Sequence, residues 1–279
     1  MSNHSASEVD TLSGNPEDAS MPSIIPIPAF ADNYIWLIRE GSHAAVVDPG
    51  DAGPVADYLA AEGLALTAIV NTHHHGDHVG GNRALVLRWA CPVLGPAHEA
   101  IPGRTRALVE GDRVEVPGIG VTFDVLDVPG HTSGHIAYVG AVGGEAVTFC
   151  GDTLFAAGCG RLFEGTPAEM WSSLSKLAAL DPATRAYCAH EYTLANLRFA
   201  RAVEPASGEI AARDGREQDK RARGLPSVPS TIGDERATNP FLRVGVPAVR
   251  AAAEAHAGRA LADDVAVFAE LRAWKNGFR

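Results

Sequence analysis

The sequence predicts an α+β protein, a strand-rich domain over residues 23–193 followed by a small all-helical domain over 194–279. Three observations point there. Short apolar runs at 44–47, 66–70, 121–128, 146–150 and 185–189 each stop at a polar or glycine-containing turn, the pattern of buried strands. Beyond residue 193 the composition shifts to charged, strand-poor sequence and then to alanine-rich segments with helical spacing. A chain of 279 residues can bury a substantial core, and one large domain with a smaller one suits that length.

Taken in order, the first 20 residues are polar and acidic with no apolar stretch, so residues 1–22 are expected to be a disordered extension and not a secretory signal. The run 44–47 is a strand ending at Asp48, which can hydrogen-bond a neighbouring donor or cap a turn. The run 66–70 leads into Thr72-His73-His74-His75-Gly76-Asp77-His78, and Gly80-Gly81-Asn82 feeds a helix over 83–89. Strand 121–128 runs into Pro129-Gly130-His131-Thr132-Ser133-Gly134-His135. Strand 146–150 ends at Gly151-Asp152-Thr153, and strand 185–189 at His190-Glu191-Tyr192-Thr193. A helical pattern covers 195–203. The stretch 204–224, with Arg213, Arg216, Lys220, Arg221 and Arg223 set among acids, reads as an exposed helical segment. Residues 225–239, rich in Pro and Ser, read as a loop, and helices are expected at 247–257 and 263–275.

Four imidazoles and a carboxylate within seven residues are hard to explain as packing. A tag would sit at a terminus and lack the interleaved Gly and Asp. Neutral imidazole is the commonest side-chain ligand of transition metals, and the alternation H-x-H-x-D-H sends side chains from one loop in two directions, which suggests two metal ions. Three further strand ends, at His131 or His135, Asp152 and His190, each deliver another donor. Two divalent ions close together lower the pKa of a shared water until hydroxide exists near neutral pH, so no Ser or Cys nucleophile is needed, and no G-x-S-x-G elbow is present.

The ordered set T-H-H-H-G-D-H, P-G-H-T-S-G-H, G-D-T and H-E-Y-T resembles the metallo-β-lactamase superfamily. That resemblance implies a four-layer αβ/βα sandwich whose strand-end loops converge on one or two metals. Within the superfamily the chain resembles the hydroxyacylglutathione hydrolase (glyoxalase II) family from about residue 24 onward. The supporting segments are Ala31-Asp32-Asn33-Tyr34, Val47-Asp48-Pro49-Gly50-Asp51, Gly158-Cys159-Gly160-Arg161-Leu162-Phe163-Glu164-Gly165, Leu225-Pro226-Ser227-Val228-Pro229-Ser230 and Asn239-Pro240-Phe241-Leu242-Arg243. The resemblance implies that His73, His75 and His131 hold a first metal and that Asp77, His78 and His190 hold a second. Asp152 would bridge both with a water or hydroxide. It casts Asp77 and Asp152 as the catalytic residues, acting through the metals. His74 and His135 are then expected beside the ligands and not among them. Zinc is the expected metal, with iron and manganese also suited to these ligands.

The family's activity is hydrolysis of S-D-lactoylglutathione to D-lactate and glutathione, the second step of methylglyoxal detoxification. Its substrate carries two carboxylates, and the family pattern assigns their pocket to Arg161, Tyr192, Arg272 and Lys275. Arg161 stands where Lys is also found, and Phe163 where some members have Tyr, which removes one phenol from the pocket. Without the resemblance, Arg272 and Lys275 could equally be a solvated basic face of a terminal helix. Persulfide dioxygenation at one iron is the alternative on this scaffold, disfavoured by 239–243 and by Arg272 and Lys275. A β-lactamase would be expected to be secreted, and a metal-stabilised binding protein would be expected to have lost a donor.

The formal net charge of −11 disfavours nucleic acid as a partner, because phosphate backbones need a basic footprint. No apolar run approaches the ~18 residues of a membrane span. Cys91, Cys150, Cys159 and Cys188 form no C-x-x-C pair and read as free thiols of a reducing compartment, Cys150 and Cys188 in the core. A cytoplasmic monomer with a small-molecule glutathione thioester as its partner is therefore expected.

Overall fold

The computed structural model describes residues 21–278. The expected disordered extension lies outside the described residues except for Met21 and Pro22. Two six-stranded sheets pack face to face. The first runs β1 (Ser23–Ala29), β2 (Asn33–Glu40), β3 (His43–Val47), β4 (Ala65–Val70), β5 (Val93–Pro96) and β6 (Arg106–Leu108) in that order. The second comprises β7 (Arg113–Glu115), β8 (Thr122–Asp127), β9 (Ile136–Val142), β10 (Glu145–Gly151), β13 (Arg185–Cys188) and β14 (Ser230–Thr231), ordered β14-β13-β10-β9-β8-β7. Between β10 and β13 lies a small hairpin of β11 (Leu154–Phe155) and β12 (Gly158–Cys159).

The period-two alternation of strands sorts the side chains of the first sheet. Tyr34, Trp36 and Ile38 of β2 enter the core shared with the second sheet, where Phe123, Tyr138 and Phe149 meet them. Ile35 and Leu37 point the other way, into a second core with Val55 and Leu59 of α1 (Ala52–Glu62) and Leu85 of the helix Asn82–Trp89. Full burial of each such side chain is worth about 1.5–3 kcal/mol. That helix is α3, after the single turn α2 (Gly76–Val79). Beside the second sheet, α4 (Pro167–Ala178) is fastened by Ser173 Oγ donating to the Pro129 carbonyl at 2.7 Å and Lys176 Nζ to that of Asp127 at 2.9 Å. These layers are the αβ/βα sandwich expected from the sequence.

The C-terminal region is helical: α5 (Thr193–Val203), α6 (Gly208–Ala222), α7 (Ile232–Thr238), α8 (Pro247–Ala257) and α9 (Asp264–Gly277). Two expectations fail here. Residues 225–239 are not all loop: β14 pairs with β13 at the sheet edge and α7 follows it, started by Thr231, whose Oγ1 accepts from Asp234 N at 3.0 Å. Nor is 204–224 simply exposed. Ile210, Arg213, Asp214 and Glu217 form a buried face of α6, because Arg213 is paired at 2.6 Å with the fully buried Glu235 of α7.

Topology places the site. Strands β3 and β4 are parallel, as are β10 and β13, so the C-terminal ends within each pair emerge on the same side. The chain leaving β13 is stitched to the start of β2 by Tyr34 N donating to Ala189 O at 2.7 Å, and to the β1–β2 turn by Glu191 N donating to Asp32 O at 2.8 Å. The two sheets therefore deliver their donor-bearing loops to one rim.

Candidate metal centre

The residues singled out at the four strand ends come together at that rim. His73, His75 and His131 offer three ring nitrogens, and Asp77, His78 and His190 offer two nitrogens and a carboxylate oxygen, with all atoms of each trio within 4.8 Å of one another. In the first trio His75 Nδ1 lies 3.2 Å from His73 Nε2 and 3.0 Å from His131 Nε2. In the second, Asp77 Oδ2 lies 3.6 Å from His78 Nε2 and 3.5 Å from His190 Nε2. Donors 2.0–2.2 Å from a common ion at angles between octahedral and tetrahedral stand roughly 2.8–3.6 Å apart, so both trios have the spacing a cation requires. Asp152 lies between them, its carboxylate 3.3 Å from His131 Nε2, 3.4 Å from His78 Nε2 and 3.3 Å from His190 Nε2.

Hydrogen bonds behind the rings fix which nitrogen faces inward. Thr72 gives its hydroxyl proton to Asp48 Oδ2 at 2.7 Å, so its oxygen must accept from His73 Nδ1 at 3.0 Å, leaving the His73 Nε2 lone pair free. His131 donates from Nδ1 to the Arg161 carbonyl at 2.8 Å, His78 from Nδ1 to Asp48 at 3.1 Å, and His190 from Nδ1 to Asp32 at 3.2 Å. Two buried atoms turned inward, His78 Nε2 and Asp152 Oδ1, face each other at 3.4 Å, and neither makes a well-formed hydrogen bond. Buried polar atoms without partners are costly, and a cation between the trios would satisfy both. The residues present fit two metal ions.

Electrostatics divides the cluster. Burial above all, with His78 next, holds His73 well below the ordinary imidazole range, and burial likewise lowers His75 and His131. These three are neutral and ready to ligate. Burial pushes His78 and His190 the same way, but the Asp152 carboxylate outweighs it and raises both. Asp152 in turn is held far below the carboxylate range, since His78 and His190 overcome its desolvation. In the second trio the Asp152 carboxylate thus favours the protonated imidazoles, the positive charge that a metal would otherwise supply.

Two glycines permit the close approach. A Cβ on Gly160 would lie 1.9 Å from the Asp152 carbonyl oxygen, and one on Gly50 1.9 Å from that of Asp77. Asp48, with φ +52° at the end of β3, grips Thr72 N at 2.8 Å as well as His78, so of its two expected roles it holds a ring. His135 is buried, stacks on His73 at 4.5 Å and accepts from Asp152 N at 3.1 Å, while His74 turns away to Glu99 at 3.0 Å. Neither belongs to a trio. Sequence reading assigned no role to Asp32 or Asn33, whose Nδ2 donates to Asp77 Oδ2 at 3.1 Å, or to Glu99. The segment Ala31-Asp32-Asn33-Tyr34 carries the sequence signal for the first two.

The trios floor a cleft of about 760 Å³, within the range of small-molecule sites. Tyr192 stacks on His190 at 4.7 Å, and Phe163, 63% exposed, stands edge-on to His75 and His131. Burial, then Asp32, pushes the Tyr192 phenol up to about 12, so it keeps its proton. Arg161 lies on the same wall. Arg272 and Lys275 of α9 reach the cleft from the C-terminal region and are no solvated face. Arg272 is buried, donating to the Cys159 carbonyl at 2.8 Å with its Nε unpartnered, and Lys275 donates to the Ala195 carbonyl at 2.9 Å.

This fold and donor set define a metal-binding enzyme of the metallo-β-lactamase superfamily, and that superfamily's model matches residues 30–190. The model of the hydroxyacylglutathione hydrolase C-terminus matches residues 191–278. The chain is 59% identical over 268 residues to the hydroxyacylglutathione hydrolase of Cupriavidus taiwanensis, covering 93% of this chain and 100% of that one. It is 54% identical over 261 residues to the one from Pseudomonas putida, covering 92% and 100%. It belongs to the hydroxyacylglutathione hydrolase family. Among solved structures, ETHE1 from Myxococcus xanthus superposes with a TM-score of 0.61 at 23% identity, covering 93% of this chain and 92% of that one, a likeness of fold. TTHA1623, in a di-iron-bound form, superposes with a TM-score of 0.55 at 28% identity, covering 78% and 100%. Among the described residues no helix is long and apolar enough to cross a membrane, and all four cysteines are free and buried.

Proposed function

We propose that the chain hydrolyses the thioester of S-D-lactoylglutathione to D-lactate and glutathione, the second step of methylglyoxal detoxification. The observation that carries this is one cleft with two donor trios flanking Asp152 on its floor and the cations Arg272 and Lys275 on its wall. His73, His75 and His131 hold one divalent ion, Asp77, His78 and His190 the other, and Asp152 serves both. Zinc suits these ligands, as do iron and manganese. The di-iron form of the related TTHA1623 supports a binuclear reading. When bound, two such ions supply hydroxide near neutral pH and positive charge for a developing oxyanion.

The side chains do the rest. Arg161, Arg272 and Lys275 offer positive charge to the glutathione carboxylates in an otherwise acidic protein, and Tyr192 offers a neutral hydroxyl donor. Phe163 screens the first trio from water on one side. A departing thiolate needs no strong general acid, since a cysteine-type thiol has a pKa of about 8.5. In this reading residues 23–193 carry the metals together with Arg161 and Tyr192, 194–279 lend Arg272 and Lys275, and the enzyme works as a cytoplasmic monomer.

Purified enzyme is expected to bleach the thioester absorbance of S-D-lactoylglutathione and to stop after strong chelation. Oxygen uptake with glutathione persulfide, without thioesterase activity, would overturn the reading. His190→Ala should lose one metal equivalent by elemental analysis, and retention of two tightly held ions would refute the ligand assignment.

A further inference from the structure

The β11–β12 hairpin is built in an unusual way. Its two-residue turn is Ala156-Ala157, and Ala157 takes φ +55°, a left-handed conformation for which a hairpin turn normally uses Gly, Asn or Asp. Side chains from the C-terminal region grip its backbone group by group. Asn196 of α5 donates to Ala156 O at 3.0 Å, and Asn239, after α7, donates to Gly158 O at 2.9 Å and Phe155 O at 3.3 Å. Glu235 Oε2 accepts from Ala157 N at 2.8 Å and also from Asn239 Nδ2 at 2.9 Å. Its other oxygen faces Arg213 at 2.6 Å.

The hairpin is part of the cleft. Phe155 stands edge-on to His190 at 5.7 Å and to Tyr192 at 5.4 Å, and the Cys159 carbonyl anchors Arg272. Glu235 itself is fully buried and does not line the cleft. A buried carboxylate that spends one oxygen on a strained turn and one on a buried guanidinium is placed to hold that turn.

We propose that Glu235 is a positioning residue: through the Ala157 N–H it fixes the hairpin that sets Phe155 and, by way of Cys159, Arg272 against the substrate. This rests on the thioesterase reading above. The counter-charge complicates a simple test, because removing one partner of a buried ion pair strands the other. Two double variants avoid that. Arg213→Met with Glu235→Gln keeps an oxygen for the Ala157 N–H, and Arg213→Met with Glu235→Met removes it.

With S-D-lactoylglutathione, the Met pair is expected to show a KM raised about tenfold with kcat and metal content little changed, and the Gln pair to restore KM to within about twofold of wild type. A general structural role would move both pairs alike, so equal KM values in two active, equally stable variants overturn the proposal. Should the Met pair not fold, Glu235→Asp keeps the charge facing Arg213 but withdraws the carboxylate from the turn. Its KM should rise several-fold, and an unchanged KM overturns the proposal. Deuterium uptake over residues 154–160 reads the same hold without turnover and should increase in the Met pair or the Asp variant but not in the Gln pair. If wild type shows no thioesterase activity, the functional reading fails, and uptake alone then decides the positioning role.

Discussion

Lys275 carries a charge that its surroundings make easy to lose. Burial first, and then the neighbouring Arg272, lower its ammonium from 10.5 to about 8. If Lys275 holds a glutathione carboxylate, kcat/KM should fall as pH rises above about 8, since that ratio reports groups of the free enzyme. Lys275→Arg, whose guanidinium does not deprotonate, should flatten the fall, and an identical pH profile in both would remove Lys275 from binding. The effect on stability has the opposite sign. The folded value lies below the unfolded one, so the charged amine opposes folding fully below about pH 8, and that penalty fades between about 8 and 10.5. Phe163 offers a second test, because it presents an exposed ring on the cleft wall. Phe163→Tyr should lower KM by about three- to tenfold if its phenol meets substrate, the worth of one hydrogen bond at about 0.5–1.5 kcal/mol. The candidate metal ligands were legible because their donors crowd one loop and end three other runs. Their supports were not: Asn33 meets Asp77 across 44 residues and Asp32 meets His190 across 158, separations over which a lone Asp or Asn carries no local pattern.

At the scale of elements, α4 shows how a local signal becomes measurable stability. Thr166 caps it, accepting from Glu169 N at 3.2 Å while Glu169 reaches back to Thr166 N at 2.7 Å, a complete capping box with Pro167 opening the first turn. Thr166→Ala should cost about 1 kcal/mol and lower Tm by about 2–4 °C in a chain of this size. Calorimetry showing no change would mean that packing of Met170 and Leu174 alone holds the helix. Elements with a full apolar face were readable: the expected helix at 247–257 matches α8, and the expected strands overlie β4, β8, β10 and β13. Those without one were not. The strand β14 is only two residues long, and α7 contains a glycine and a single large apolar residue, Ile232, so propensity and periodicity favour loop there. The buried side of α6 was hidden for a different reason. Arg213 and Glu217 are charged, and a charge pattern cannot tell a solvated face from one that meets a buried partner such as Glu235.

For the whole molecule, the clustered donors tie folding to metal and to protons together. Without metal, His78 and His190 have folded values above their unfolded ones, so the stability they contribute is complete below about pH 6.5 and is lost as pH rises through the folded values. Asp152 is depressed, so its contribution is present above about pH 4 and lost only as pH falls through its folded value. Taken by themselves these three groups stabilise the metal-free fold most between about pH 4 and 6.5, while His73, His75 and His131, held below their unfolded values, oppose folding increasingly as pH falls below about 6.5. Metal binding runs against this, because every imidazole ligand must shed its proton to coordinate, and binding weakens as pH falls. At metal concentrations a thousandfold above the dissociation constant the loaded protein gains about 4 kcal/mol, or roughly 8–16 °C in Tm. That gap between loaded and chelated protein should be wider at about pH 8 than at about pH 6, as protons leave His78 and His190 and the chelated form loses its substitute for the cation. Calorimetry on the same preparation with and without chelator reads it directly. A gap that narrows with rising pH, or chelated protein melting with loaded protein at both values, would mean that the paired charges around Asp152 hold the rim together and metal adds nothing to the fold.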